Sequence, residues 1–181
     1  MTAATDPPRD SQRLFFALMP PPGVAARIAN AADRLGLVGR RIESSRLHLT
    51  LVFLGAVESA IQARLCGVAE TIDLPAFTLV LDRLSGFQGP QIAWLGPSSP
   101  PCTLLDLASA LDKNTIGGID NYQFRPHVSV RRGIGCVATA RVEPIAWPVT
   151  HFSLIASGDG GQPGAYRELG RWPLERGRPA L

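Results

Sequence analysis

One six-residue pattern occurs twice in this chain. Residues 46 to 51 read Arg-Leu-His-Leu-Thr-Leu and residues 125 to 130 read Arg-Pro-His-Val-Ser-Val, so R-x-H-apolar-[ST]-apolar recurs 79 residues apart. The surroundings recur with it. Each copy follows a helical pattern that ends about a dozen residues upstream, and a strand-like run precedes that helix. Strand, helix and H-x-[ST] strand therefore appear in both halves in the same order. A chain built this way is constrained to two related, pseudo-symmetric lobes that face each other.

The rest of the chain fits an α+β reading. Arg13 to Met19 is short, aromatic-rich and stopped by Pro20-Pro21-Pro22, as a buried strand is. Val24, Ile28, Ala31 and Leu35 recur at helical spacing, with Pro22 in the first turn and Gly36 at the stop. Arg46 to Leu54 reads as a strand ending at Gly55, and Ile61, Leu65, Val68 and Ile72 mark a second helix. Phe77 to Leu84 and Gln91 to Leu95, joined through Ser-Gly-Phe-Gln-Gly-Pro, predict an antiparallel pair. Leu104, Ala108, Leu111 and Thr115 predict a third helix, opened by Pro100-Pro101 and closed by Gly117-Gly118. Phe124 to Arg131, Thr150 to Ala156 and Tyr166 to Trp172 are the remaining predicted strands. Met1 to Ser11 and Arg176 to Leu181 read as loose ends, and Gly158 to Gly164 as a turn.

No linker divides these 181 residues, which reads as a single bilobal domain over 1–181. Gly and Pro total 34, about 19% against a usual ~12%, which favours many short elements and excludes a coiled coil. Hydrophobic residues at 45% and charged residues at 18% exclude a disordered chain. No apolar stretch approaches a membrane span and no secretory leader is visible, so the expected compartment is the cytoplasm and no membrane partner is expected. Cys66, Cys102 and Cys136 are odd in number and widely spaced, which fits reduced core residues better than disulfides or a metal site. The net charge is +3, and all but one of the 18 basic residues are arginine, whose fork suits phosphate.

The chemistry rests on the duplicated motif. Residues i and i+2 of a strand share a face, so His48 with Thr50 and His127 with Ser129 each present an imidazole and a hydroxyl together. Alternation sends Leu47, Leu49, Leu51 and Phe53 to the opposite face and continues the polar face as Val52 and Leu54. Two imidazoles and two hydroxyls converging across a cleft suit a phosphodiester. In-line displacement at phosphorus needs a base on one side and an acid on the other, and a histidine pair can hold one proton between them. The hydroxyls would donate to the non-bridging oxygens, so the scheme needs neither metal nor cofactor. Ser and Thr total 20 residues, so H-x-[ST] alone is weak, and His151-Phe-Ser153 also matches it. Only His48 and His127 carry an arginine two residues earlier, which assigns His151 a structural role. Parity places Arg131 on the face of His127 and Ser129, whereas Arg132 would need a bulge to reach it. Phe15, Phe16, Phe124 and Tyr166 are candidates to stack on a base.

His48-Leu-Thr-Leu-Val-Phe-Leu-Gly55 and Phe124-Arg-Pro-His-Val-Ser-Val130 resemble the paired signatures of the 2H phosphoesterases. Gln12 to Leu18, Phe77 to Leu81 and Phe152 to Ser157, with Tyr166 and Arg171-Trp172, narrow the resemblance to the bacterial RNA 2',3'-cyclic phosphodiesterases, historically called 2'-5' RNA ligases. The resemblance spans about residues 12 to 174. It implies two lobes of antiparallel sheet with outer helices around a cleft. It also implies metal-independent opening of 2',3'-cyclic phosphate RNA ends to a 2'-phosphate, with 2'-5' RNA ligation when a 5'-hydroxyl replaces water. His48 would be the acid on O3' and His127 the base on water, with the exchanged assignment open. Thr50 and Ser129 would hold the phosphate. An arginine five residues after the second histidine is usual in this family, which favours Arg132 over Arg131. The partner implied is an RNA terminus, met by a monomer. Asp159 to Ala165 lacks basic residues and lysine is nearly absent, which predicts weak grip on a long RNA. Two rival readings are a phosphodiesterase for a small cyclic nucleotide or 2'-5' oligoadenylate, and a non-catalytic RNA-end binding module.

Overall fold

The computed structural model describes residues 11–115, 124–158 and 165–175. The chain runs β1 (Ser11–Leu18), α1 (Pro22–Arg34), β2 (Arg40–Arg41), a short 3-10 turn (Ser44–Arg46), β3 (Leu49–Glu58), α2 (Ser59–Glu70), β4 (Phe77–Phe87) and β5 (Ile92–Gly96). It continues with α3 (Cys102–Asn114), β6 (Val128–Arg132), β7 (Ala140–Val149), β8 (His151–Ser157) and β9 (Tyr166–Pro173). The predicted helices and strands are present with shifted ends. The expected head up to residue 10, the Gly117-Gly118 stop, the turn over 159–164 and the tail from 176 lie outside the described residues.

All pairings between named strands are antiparallel, in the order β7-β4-β5-β6-β3-β1-β8-β9, with β2 on β6. Outward from the centre, β6-β5-β4-β7 mirrors β3-β1-β8-β9. The two halves meet at one residue pair, Leu49 with Val128, both fully buried. The expected lobes are thus halves of one continuous sheet, joined where the duplicated motifs touch.

Helices cover the other side of this seam. Val24, Ile28 and Ala32 of α1 are buried, and the helix packs over β6 and β7 of the opposite half, where Arg27 also donates to the Ala146 carbonyl. Leu104, Leu107, Ala108 and Leu111 of α3 pack over β3 in the same crossed manner. One apolar cluster, including Leu49, Leu51, Val128, Val130 and Trp147, runs beneath both halves. Burial of this kind is worth about 25 cal/mol per Å2 and ties the halves into one core. The opposite face of the sheet carries a small buried cluster, Phe15, Ala17 and Ile155 with Met19 and Tyr166 against it.

Two strands depart from expectation in ways that shape this open face. β3 does not stop at Gly55, because that residue takes φ +72° and lets the strand continue to Glu58. β7 was unreadable as a strand because Pro144 and Pro148 interrupt it; it lies at the sheet edge, where a missing N–H is tolerated. Its burial nonetheless alternates through Ile145, Trp147 and Val149. β4 runs on through Ser85-Gly86-Phe87, which shortens the predicted turn. All three cysteines are free, as expected, but only Cys66 packs against the core, half-buried; Cys102 and Cys136 are exposed.

Candidate active site

Each motif histidine stands one residue before its strand, His48 ahead of β3 and His127 ahead of β6. The Leu49–Val128 pair lies between them. In an antiparallel ladder this register sets His48 opposite Ser129 and His127 opposite Thr50. Leu49 and Val128 point into the core, so the four polar residues share the open face around a pseudo-twofold axis.

The two rings are held alike. His48 Nδ1 donates to the Arg46 carbonyl at 2.8 Å and His127 Nδ1 to the Arg125 carbonyl at 2.7 Å. A carbonyl can only accept, so both bonds fix the Nδ1–H tautomer and leave Nε2 for a ligand. The arginines of the R-x-H pattern thus contribute their backbone to the histidines. Aromatic rings wedge each imidazole: Phe15 and Tyr166 lie 4.9 and 5.2 Å from His48, and Phe87 and Trp94 lie 4.9 and 5.8 Å from His127. Arg46 stacks over Tyr166 at 5.0 Å. Burial among these rings lowers the His48 pKa to about 4, aided by the charges of His127, Arg132 and Arg46 and opposed by the Arg46 carbonyl bond. Burial also lowers the His127 pKa, against the bond to Arg125. Both rings are neutral at pH 7 in the free protein, and a bound phosphate anion favours protonation of whichever ring it faces.

Matching bulges follow both motifs. Thr50 pairs with Ala17 but Val52 with Phe16, so Leu51 is the extra residue in β3; Ser129 pairs with Trp94 but Arg131 with Ala93, so Val130 is the extra residue in β6. A bulge shifts the alternation by one residue. Arg131 is therefore turned under the sheet, buried and ion-paired with Asp33, which overturns its parity placement. Arg132 comes to the open face, where its charge reaches His48. In β3 the same shift buries Val52 and brings up Phe53, half-exposed, with the Arg13 guanidinium 5.3 Å over its ring. Phe53 therefore does not join Leu49 and Leu51 beneath the sheet.

His151 lies two strands from His48, at the start of β8 and paired with Pro173. Its Nδ1 is 3.2 Å from Thr150 Oγ1, and it does not join the central group. Of the predicted stacking residues, Phe16 is core and packs on Phe152 and Trp172, while Phe15 is buried against His48. Phe124 packs against the core, and Tyr166 alone of the four is half-open beside a catalytic candidate. Phe87 and Trp94 were missed; their position opposite a motif strand becomes visible only with the β4–β5–β6 register.

Comparison with known proteins agrees with the fold. The family model described as the 2'-5' RNA ligase superfamily matches residues 20–161. A curated relative in Escherichia coli K12, named RNA 2',3'-cyclic phosphodiesterase, is 33% identical over 172 residues, covering 91% of this chain and 98% of the relative. The crystal structure of Escherichia coli LigT complexed with NADP+ superposes with TM-score 0.79 at 31% identity, over 92% of this chain and 99% of that one. The complex of LigT with 3'-AMP gives TM-score 0.77 at 32% identity, over 91% and 98%.

Proposed function

The chain belongs to the 2'-5' RNA ligase superfamily, and from that membership and the site geometry we propose that it opens 2',3'-cyclic phosphates at RNA ends to 2'-phosphates. The observation that carries this reading is the interleaving of His48, Thr50, His127 and Ser129 on one face of the Leu49–Val128 junction. Both imidazoles there have their Nδ1–H groups occupied, which directs their Nε2 atoms to a ligand.

In this scheme the cyclic phosphate sits over the junction with a histidine on each side. His127 Nε2 takes a proton from water as its oxygen bonds to phosphorus. The bond from phosphorus to O3' breaks, and His48, protonated at Nε2 when the phosphate binds, gives that proton to O3'. The low pKa of His48 makes its imidazolium a strong acid for a departing alkoxide. Thr50 and Ser129 donate to the non-bridging oxygens, and Arg132 balances their charge. The two rings supply both proton transfers, so no metal or cofactor is called for. With an RNA 5'-hydroxyl in place of water, the same displacement, again expelling O3', forms a 2'-5' linkage. The protein acts as a single bilobal domain and as a monomer, and three free thiols suit a reducing cytoplasm.

An RNA oligonucleotide ending in a 2',3'-cyclic phosphate, incubated in EDTA and resolved into 2'- and 3'-phosphate products, tests the reading. The expected product is the 2'-phosphate. A 3'-phosphate, or tight binding without turnover from pH 5 to 8, would replace it, the latter with an RNA-end binding module. LigT binds 3'-AMP in its crystals, so a mononucleotide 2',3'-cyclic phosphate belongs in the same assay.

A further inference from the structure

Beyond the central four residues, the open face of the two halves differs in charge. Thr50 pairs with Ala17 and Ala17 with Ser153; in the other half Ser129 pairs with Trp94 and Trp94 with Ser85. Two residues further along each row, toward the histidine, the first half has Met19, His151 and then Pro173, and the second has Gly96, Arg83 and then Arg141. Met19 fills its position against Phe15 and Ala17. Gly96 is buried under the Trp94 ring: a Cβ there would lie 2.7 Å from the Pro126 carbonyl oxygen and 2.9 Å from that ring.

Arg83 and Arg141 are direct cross-strand partners, both exposed, on the face that carries Phe87, Trp94 and His127. Like charges placed directly opposite destabilise a sheet. Neither arginine forms an ion pair among the described residues. The Asp82 carboxylate, which feels Arg141, already accepts from Ser98 N and Ser98 Oγ at 2.7 and 2.6 Å. The first half shows the contrast, because Arg171 there is neutralised by Glu168 at 2.7 Å. Arg83 stands two strand spacings from His127, about 10 Å, with Gly96 and the Trp94 ring that covers it between them.

We propose that Arg83 and Arg141 form a second phosphate site, taking the next phosphodiester of an RNA whose terminal cyclic phosphate lies between His48 and His127. The inference rests on the reading above and sharpens its substrate to an oligonucleotide end rather than a mononucleotide. It also places the grip on the RNA backbone in β4 and β7, not in the loop before Tyr166.

The test compares a mononucleotide 2',3'-cyclic phosphate with a trinucleotide carrying the same end, for the parent and for the Arg83→Ala/Arg141→Ala protein. KM for the trinucleotide rises about tenfold in the variant, with a shallower salt dependence, while kcat and the mononucleotide kinetics stay unchanged. Equal loss on both substrates, or no change on either, overturns the site. If the alanine variant does not fold, Arg83→Gln/Arg141→Gln carries the same comparison. Should the parent cleave neither substrate, the hydrolase reading fails by itself. Binding of the two lengths bearing a 3'-phosphate then decides the site: tighter trinucleotide binding that the variant loses supports it, and equal binding overturns it.

Discussion

The half around His48 and the half around His127 share a backbone plan and differ in what the plan presents. Each sets a histidine one residue before its strand, locks Nδ1 on the carbonyl two residues back, adds a hydroxyl two residues on and then a bulge. Past the bulge, equivalent positions hold Val52 and Phe53 in one half and Arg131 and Arg132 in the other. The first half thus offers an aromatic ring where the second offers a guanidinium. The shared plan supplies the paired imidazoles, and the residues beyond the bulges give the site its polarity.

The largest expected effect comes from removing what the halves share. His48→Ala and His127→Ala should each lower kcat about 10^2- to 10^4-fold, measured by product formation from a cyclic-phosphate RNA; His151→Ala should leave it unchanged. Next come the bulge positions. Arg132→Ala should lower kcat/KM about 10^2-fold with little change in melting temperature. Arg131→Ala should do the reverse, costing about 1–3 kcal/mol because Asp33 keeps only Arg41 and the Leu37 carbonyl loses its donor. If both arginines gave the same phenotype, the matching bulges would not explain the site. Thr50→Val and Ser129→Ala should each cost about tenfold in kcat, and a large inequality between them would break the pseudo-symmetry.

The smallest effects are in pH dependence. Turnover needs one ring protonated and one neutral, and both pKa values in the free protein lie below 6.5. The profile of kcat/KM should therefore fall on the alkaline side at a pH below 6.5, whereas kcat, with the phosphate anion bound, should persist to higher pH. Stability has its own sign. His48 titrates near 4 when folded and near 6.5 when unfolded, so between these values the unfolded chain holds the extra proton. Stability should thus decline as pH falls from 6.5 toward 4, and less steeply in His48→Ala, as equilibrium denaturation at several pH values would show.

Much of this was legible in the sequence, because periodicity and a repeated motif are local signals. The helices at Pro22, Ser59 and Cys102 and most of the strands follow from spacing and from proline and glycine stops. The pairing of His48 with His127 followed from the shared arginine, even though the arginine's backbone, not its side chain, meets each ring. What was not legible depends on register between distant strands. Strict alternation cannot foresee an extra residue at Leu51 or Val130, so it misplaced Phe53 and favoured Arg131. The prolines of β7 hid a strand that only its edge position permits. Phe87 and Trp94 reach His127 through pairings some 35 residues apart in sequence, where no periodic signal connects them.

The central claim is that the two histidines act as one unit across the Leu49–Val128 junction. Opening of a 2',3'-cyclic phosphate RNA should be timed for the parent, His48→Ala, His127→Ala and the double variant under identical conditions. An acid and a base serving one displacement are non-additive, so the double variant should be about as slow as either single one. Losses that multiply in the double variant would mean that the rings act independently, and would contradict the account.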